Sequence, residues 1–281
     1  MRNPESWLCR THPARPMAGV AFAAFLTITS CAPPKNVDYN APDASADPDA
    51  PVPIEVDPSS GQENVNRLKV IRVTFDKHLN SRTLEQGSLS LYSGTPGKTV
   101  VGRWMVSFYD PIHKQLVAWP AGPMLRQSTW VIKLNKGIEG MNGSPVHPVE
   151  LGWFRTGDDA ILETAFKIRS FEREVRPIFE KYCVSCHGGS GATIAGLDLE
   201  SAEGIQETAL NEPASGWQDW FRITPTLPGE SYLLFKIIGD ENLPGETMPR
   251  SFGDEKPTRL SIKEQEVIME WIAAGVPLSD P

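Results

Sequence analysis

Between residues 54 and 156 the chain alternates short apolar or β-branched runs with turn formers. Val70-Ile71-Arg72-Val73-Thr74-Phe75, Leu89-Ser90-Leu91-Tyr92, Trp104-Met105-Val106-Ser107-Phe108, Leu116-Val117-Ala118-Trp119 and Trp130-Val131-Ile132-Lys133-Leu134 are separated by Gly, Pro, Asn and Asp. That is the signature of half-buried or buried strands. Asn142-Gly143 is a turn signal ahead of a last strand near residues 151–154. Several short strands at this spacing predict an all-β sandwich over residues 54–157. After Gly157-Asp158-Asp159 the period changes. Phe171, Val175, Ile178, Phe179 and Tyr182 form one apolar stripe at helical spacing, interrupted by Pro177, so the stretch is a kinked helix or two short ones. Near the end Ser261-Ile262-Lys263-Glu264 reads as a capping box, Val267, Ile268, Trp271 and Ile272 as an apolar face, and Gly275 with Pro277 as a stop. A region that opens and closes on amphipathic helices predicts an all-α domain over residues 158–281.

The ends read differently. Residues 18–28 are apolar and follow Arg2, Arg10 and Arg15. A run of this length is too short to span a bilayer core of about 30 Å and reads as a secretory leader. Residues 31–53 are rich in Pro, Asp and Ala and form a solvated tether or a plain disordered tail. The net charge is −8, and a leader holding three Arg and one Glu leaves the remainder more acidic still. That balance argues against nucleic acid as a partner and supplies no polybasic supplement to a lipid anchor.

The candidate chemistry lies in Cys183-Val184-Ser185-Cys186-His187. Cys-x-x-Cys-His reads as the attachment site of one covalent haem c: two thiols add across the porphyrin vinyl groups, and the next histidine is the proximal iron ligand. A dithiol redox pair or half a zinc site are the alternatives. The first wants a βαβ context and the second further Cys or His ligands. The other cysteines are Cys9 and Cys31, and His12, His78, His113 and His147 all lie upstream. The last three read as solvated loop residues, and no catalytic residue is assigned. For the sixth iron position Met248 and Met269 are the downstream methionines. Met269 sits inside the closing helix between Glu266 and Glu270, whereas Met248 precedes Pro249 in a Gly- and Pro-rich loop, where proline restricts it to extended conformations. Met248 is therefore the candidate distal ligand, an unligated loop methionine being the alternative. Arg222, Lys236 and Arg250 are candidate propionate partners or solvated charges; Trp217 and Trp220 are candidate haem walls or core.

Three resemblances extend these readings. Ile28-Thr29-Ser30-Cys31 resembles the lipobox of bacterial lipoproteins, which implies removal of residues 1–30 and acylation of Cys31; a plain signal peptide is the alternative. Ala32 in place of Asp resembles sorting to an outer membrane. Asp57-Pro58, Arg72-Val73-Thr74-Phe75-Asp76, residues 130–134, Gly137-Ile138 through Asn142-Gly143, and Phe154-Arg155-Thr156-Gly157 resemble the Ig-like domains of bacterial S-layer proteins, implying a spacer or adhesive module. Val175-Arg176-Pro177-Ile178-Phe179, Pro228-Gly229-Glu230-Ser231-Tyr232-Leu233-Leu234 and Trp271-Ile272 with Gly275, around the haem motif, resemble single-haem class I cytochrome c domains, in which a Met-Pro loop supplies the distal sulfur. The implied protein is exported, lipid-anchored, and passes electrons to redox partner proteins in the periplasm or at the cell surface. A haem peroxidase or gas or redox sensor with an open distal position, and a surface interaction lipoprotein, are the alternatives.

Overall fold

The structure, a computed structural model, describes residues 47–103, 105–189, 193–240, 243, 245–250 and 258–279. The leader, Cys31, the tether as far as residue 46, and Trp104 lie outside the described residues.

The alternating region folds as β1 (Pro53–Asp57), β2 (Gln62–Val65), β3 (Ile71–Phe75), β4 (Leu89–Thr95), β5 (Lys98–Arg103), β6 (Met105–Asp110), β7 (Gln115–Pro120), β8 (Thr129–Leu134) and β9 (Val149–Thr156). One sheet has the order β1-β3-β7-β6 and the other β2-β9-β8-β4-β5; β2 runs parallel to β9. The sheets face each other across Ile71, Val73, Phe75, Tyr109, Leu116 and Ala118 on one side and Leu89, Leu91, Trp130, Ile132, Leu134 and Phe154 on the other. The period of two in β3 puts Ile71, Val73 and Phe75 inward, which explains the alternating burial of that strand. Residues 47–53, expected in the solvated stretch, fold onto this body: Ala50 is 4% exposed and the Val52 N–H donates to Asp76 Oδ1 at 2.7 Å.

Beyond β9 the expectation of an all-α domain is overturned. Among the described residues 158–170 hold no helix. A π-turn, Phe171–Val175, runs into α1 (Arg176–Tyr182), then α2 (Val184–His187), α3 (Ala202–Thr208), the hairpin β10 (Pro213–Ala214) and β11 (Trp217–Phe221), α4 (Tyr232–Ile238) and α5 (Ile262–Ala273). These helices are short, and they alternate with extended chain and a third, two-stranded sheet. The physical reason is local. Apolar residues keep helical spacing over several turns in α5, which carries the capping box at Ser261 and Glu264. The aromatic run Trp217-Gln218-Asp219-Trp220-Phe221 instead favours a strand, and Gly and Pro cut the remaining segments.

The short elements are stabilised by the sandwich. Val70, Phe108 and Val117 join Phe171, Phe179, Leu234, Ile268 and Trp271 in one apolar cluster. Phe108 meets Trp119 and Phe166 edge-on at 6.2 and 5.8 Å. Strand β7 of the sheet β1-β3-β7-β6 is thus covered on both faces, with Leu116 and Ala118 facing the other sheet and Val117 and Trp119 facing the helices. Polar ties reinforce the seam. Ser81 Oγ donates to the Gly229 carbonyl, and Arg82 donates to Asp219 O at 2.8 Å. Gly229 is required by this approach, since a Cβ there would come within 2.9 Å of Ser81 and Tyr109 side-chain carbons. No helix among the described residues is long and apolar enough to cross a membrane.

Candidate functional site

α1 ends against Cys183, whose N–H donates to Phe179 O at 2.7 Å. The chain then turns once more through α2: the Cys186 and His187 N–H groups both donate to Cys183 O, at 3.1 and 2.8 Å. One turn therefore carries both thiols and the imidazole. Both cysteines are free thiols. Cys183 packs against the shared apolar cluster, and burial, assisted by Cys186, pushes its thiol up to about 12. A reactive dithiol pair needs the opposite shift, because the thiolate is its nucleophile. No group of three His, Cys, Asp or Glu among the described residues is placed to hold a metal ion.

His187 is oriented by a folded-back segment. Its Nδ1 lies 3.1 Å from Ile194 O, and its own carbonyl accepts from the Leu199 N–H at 2.7 Å. A carbonyl can only accept, so the neutral ring carries its proton on Nδ1 and leaves the Nε2 lone pair for a metal. Burial holds the imidazole below its ordinary range, the Ile194 contact opposes this, and the Arg222 charge adds to it. The chain leaves His187 tightly: a Cβ at Gly188 would sit 2.7 Å from Val184 O, and one at Gly189 2.5 Å from the Asp198 carboxylate. The turn that presents Ile194 O is gripped by Arg222, which follows β11. Its guanidinium donates to the carbonyls of Ala195 at 2.6 Å, Gly196 at 2.7 Å and Thr208 at 2.6 Å. Arg222 is thus a backbone clamp among these contacts, not the solvated charge of the sequence reading.

Met248 stands on a different element. It is half-buried, its N–H donates to Lys236 O in α4 at 2.6 Å, and its bond to Pro249 is cis. Residues 190–192 and 251–257, which follow the two candidate ligands, lie outside the described residues. Among the described residues no hydrogen bond joins Met248 to the Cys183–His187 turn. The residues just before Cys183 and the end of α4 are tied instead to adjacent positions of α5. Glu264 accepts from Tyr182 Oη and Lys181 Nζ, each at 3.1 Å, and Gln265 Nε2 donates to Ile237 O at 3.2 Å and Leu260 O at 3.3 Å.

Trp217 and Trp220 stack at 5.0 Å and meet Tyr232 and Phe235 edge-on, in a cluster that also takes Met141 from the sandwich. Lys236 Nζ lies 5.7 Å from the centre of the Tyr232 ring, and Arg250 pairs with Glu246.

Two sandwich histidines depart from the solvated reading. His78 is 5% exposed; its Nε2 lies 3.1 Å from Asp240 Oδ2 and its Nδ1 3.3 Å from Tyr109 Oη, which accepts from the Leu79 N–H at 3.0 Å. Lys114 also reaches Asp240, at 3.3 Å. His113 bridges Asp110 at 2.7 Å and Glu266 of α5 at 3.1 Å, beside a cleft of about 390 Å³ between sheet and helix. A second cleft, of about 250 Å³, lies between Ser81, Met105 and Gly229. Neither is lined by the Cys183–His187 turn. His78 and Asp240 are 162 positions apart, and no local signal links them.

No protein-family model matches the chain, and no curated protein matches it significantly in sequence. Solved structures similar in part include the N-terminal part of the bacterial S-layer protein SbsC, with 12% identity over 38% of this chain and 23% of that one and a TM-score of 0.30. CopC from Methylosinus trichosporium OB3b has 16% identity over 40% and 99%, TM-score 0.27. PcoC, a methionine-rich copper resistance protein from Escherichia coli, has 15% over 38% and 97%, TM-score 0.30. The chain spans about a quarter of the length of the S-layer fragment. Likenesses this weak define neither a family nor an activity.

Proposed function

We propose that this chain is an exported, lipid-anchored electron carrier with one covalent haem c, held through Cys183 and Cys186, with His187 on the proximal side and Met248 on the distal side of the iron. The anchor is Cys31, in an outer membrane where the host has one, and the β-sandwich serves as spacer or interaction module for redox partner proteins. The observation that carries the reading is the donor set of a single turn: two unpaired thiols and an imidazole whose Nδ1 is committed to Ile194 O. These residues fit the group, which when bound supplies a one-electron iron couple. Cys183 and Cys186 would hold the ring through their sulfurs, His187 would offer Nε2 to the iron, and Met248 would supply a thioether, a ligand that favours the reduced metal. Were His187 and Met248 both to hold the iron, the group would suit single-electron transfer over activation of peroxide or a gas.

Protein matured in a host that makes c-type cytochromes is expected to give a pyridine haemochrome spectrum whose pigment survives acid acetone, and Cys183→Ala with Cys186→Ala to abolish it. Met248→Ala is expected to remove the sulfur-to-iron charge-transfer band and lower the midpoint potential. Colourless wild-type protein would overturn the proposal. Tight carbon monoxide binding to the native ferrous form would replace closed coordination with an open distal position.

A further inference from the structure

The Ile194 carbonyl that orients His187 stands on an exposed turn. Ile194 is 47% exposed, Ala195 and Gly196 are exposed as well, and Thr193 makes no side-chain cap. Ala195 and Gly196 take φ values of 61° and 63°. A left-handed alanine is disfavoured by its own Cβ and persists where its surroundings over-determine it. Apolar burial does not supply that constraint here.

Arg222 does. Three of its guanidinium hydrogen bonds end on backbone carbonyls, two of them within the turn and one at Thr208 at the end of α3. No carboxylate pairs with it among the described residues. A planar fork with several donors can span neighbouring acceptors in a way a single ammonium cannot. The base of the side chain is itself fixed: the Arg222 N–H donates to Glu212 O at 2.7 Å, and the Leu233 N–H donates to Arg222 O at 3.0 Å. The guanidinium therefore links a rigid hairpin to the exposed turn.

We infer that Arg222 is the positioning residue of the haem ligand: by holding the Ala195 and Gly196 carbonyls it keeps the Ile194 carbonyl on His187 Nδ1, and so sets both the tautomer and the donor strength of the imidazole. This rests on the cytochrome reading for its consequence at iron, but the clamp on the imidazole stands without it. An N–H bonded to a carbonyl makes the ring a stronger donor and favours the oxidised metal. Loosening the clamp therefore raises the midpoint potential. Removing a nearby positive charge lowers it, so the two roles open to Arg222 have opposite signs.

The test compares Arg222→Lys, which keeps the charge and loses the fork, with Arg222→Gln, which loses both. In matured protein, R222K is expected to bind haem in wild-type amount with a raised midpoint potential. In the full chain without haem, nitrogen-15 NMR of the His187 ring is expected to show one Nδ1–H tautomer with a slowly exchanging proton in the wild type, and a tautomer mixture with faster exchange in R222K. Should R222K not fold, R222K/A195G, whose turn no longer opposes a left-handed side chain, supplies the same two readings. A wild-type tautomer and exchange rate in R222K would overturn the inference, as would an unchanged potential in R222K with a lowered one in R222Q, which would make Arg222 a charge alone. Wild-type protein that carries no haem would end the cytochrome reading, and the NMR comparison would still decide the clamp.

Discussion

His78 and His113 sit about one seam yet respond to pH in opposite directions. Burial depresses His78 to about 4, since the Asp240 charge that would raise it is shared with Lys114. Neutral His78 satisfies both contacts, donating from Nε2 to Asp240 and accepting from Tyr109 at Nδ1. Its ordinary pKa of 6.5 applies to the unfolded chain, so between 6.5 and about 4 the unfolded state binds the proton and the fold does not. Stability is expected to fall as pH drops through that window, by at most about 3 kcal/mol, and His78→Gln to flatten the profile in denaturant titrations across it. His113 is raised by its hydrogen bond to Asp110, with Glu266 adding. Its contribution is complete below 6.5 and is lost as pH rises through the folded value, so His113→Gln is expected to remove a decline on the alkaline side. Neither role was legible locally. A histidine flanked by Lys77 and Leu79 reads as a loop residue until Tyr109 and Asp240 are brought to it from other elements.

Among the elements, α5 does the most joining. Burial alone would raise Glu264, but hydrogen bonds from the Ser261 N–H and hydroxyl, Lys181 and Tyr182 outweigh it and hold the carboxylate at about 2. Glu264 thus closes the helix cap and pins the residues just before Cys183. Glu264→Ala is expected to cost about 1–2 kcal/mol, the scale of a lost cap, with the wild-type advantage fading as pH falls from the ordinary carboxylate range toward 2. Gln265, 4% exposed, fixes the end of α4 beside the Met248 segment. Gln265→Leu leaves the Ile237 and Leu260 carbonyls without that donor and is expected to cost about 1–3 kcal/mol by chemical denaturation. The capping box and the apolar face of α5 were both readable in advance, because they depend on residues within one or two turns. The short lengths of α1 to α4 and the β10-β11 hairpin were not, since those segments are stabilised by neighbours more than by their own periodicity.

At the scale of the molecule, the cluster through Phe108, Val117, Phe171 and Trp271 spans sandwich and helices, so the two are expected to unfold together. Phe108→Ala is expected to cost about 3–5 kcal/mol, and tryptophan fluorescence and far-ultraviolet circular dichroism to report one coincident transition. Two separated transitions would show that the halves are independent. One hint of the shared core lay in Leu116-Val117-Ala118-Trp119, an unbroken apolar run where a strand with one wet face would alternate. Read as an ordinary sandwich strand, it concealed that Val117 and Trp119 face a second layer.

The amino-acid sequence by itself determined the strand runs, the cap and face of α5, and the Cys183–His187 turn with its three donor atoms, because each depends on residues close in the chain. The tertiary structure alone decided that the latter half is a mixed layer built on a sheet, that two histidines join the halves, and that Arg222 stands behind His187 through the turn at Ile194. Those outcomes depend on which distant groups share a buried space, and burial, unlike periodicity, is a property of the assembled chain.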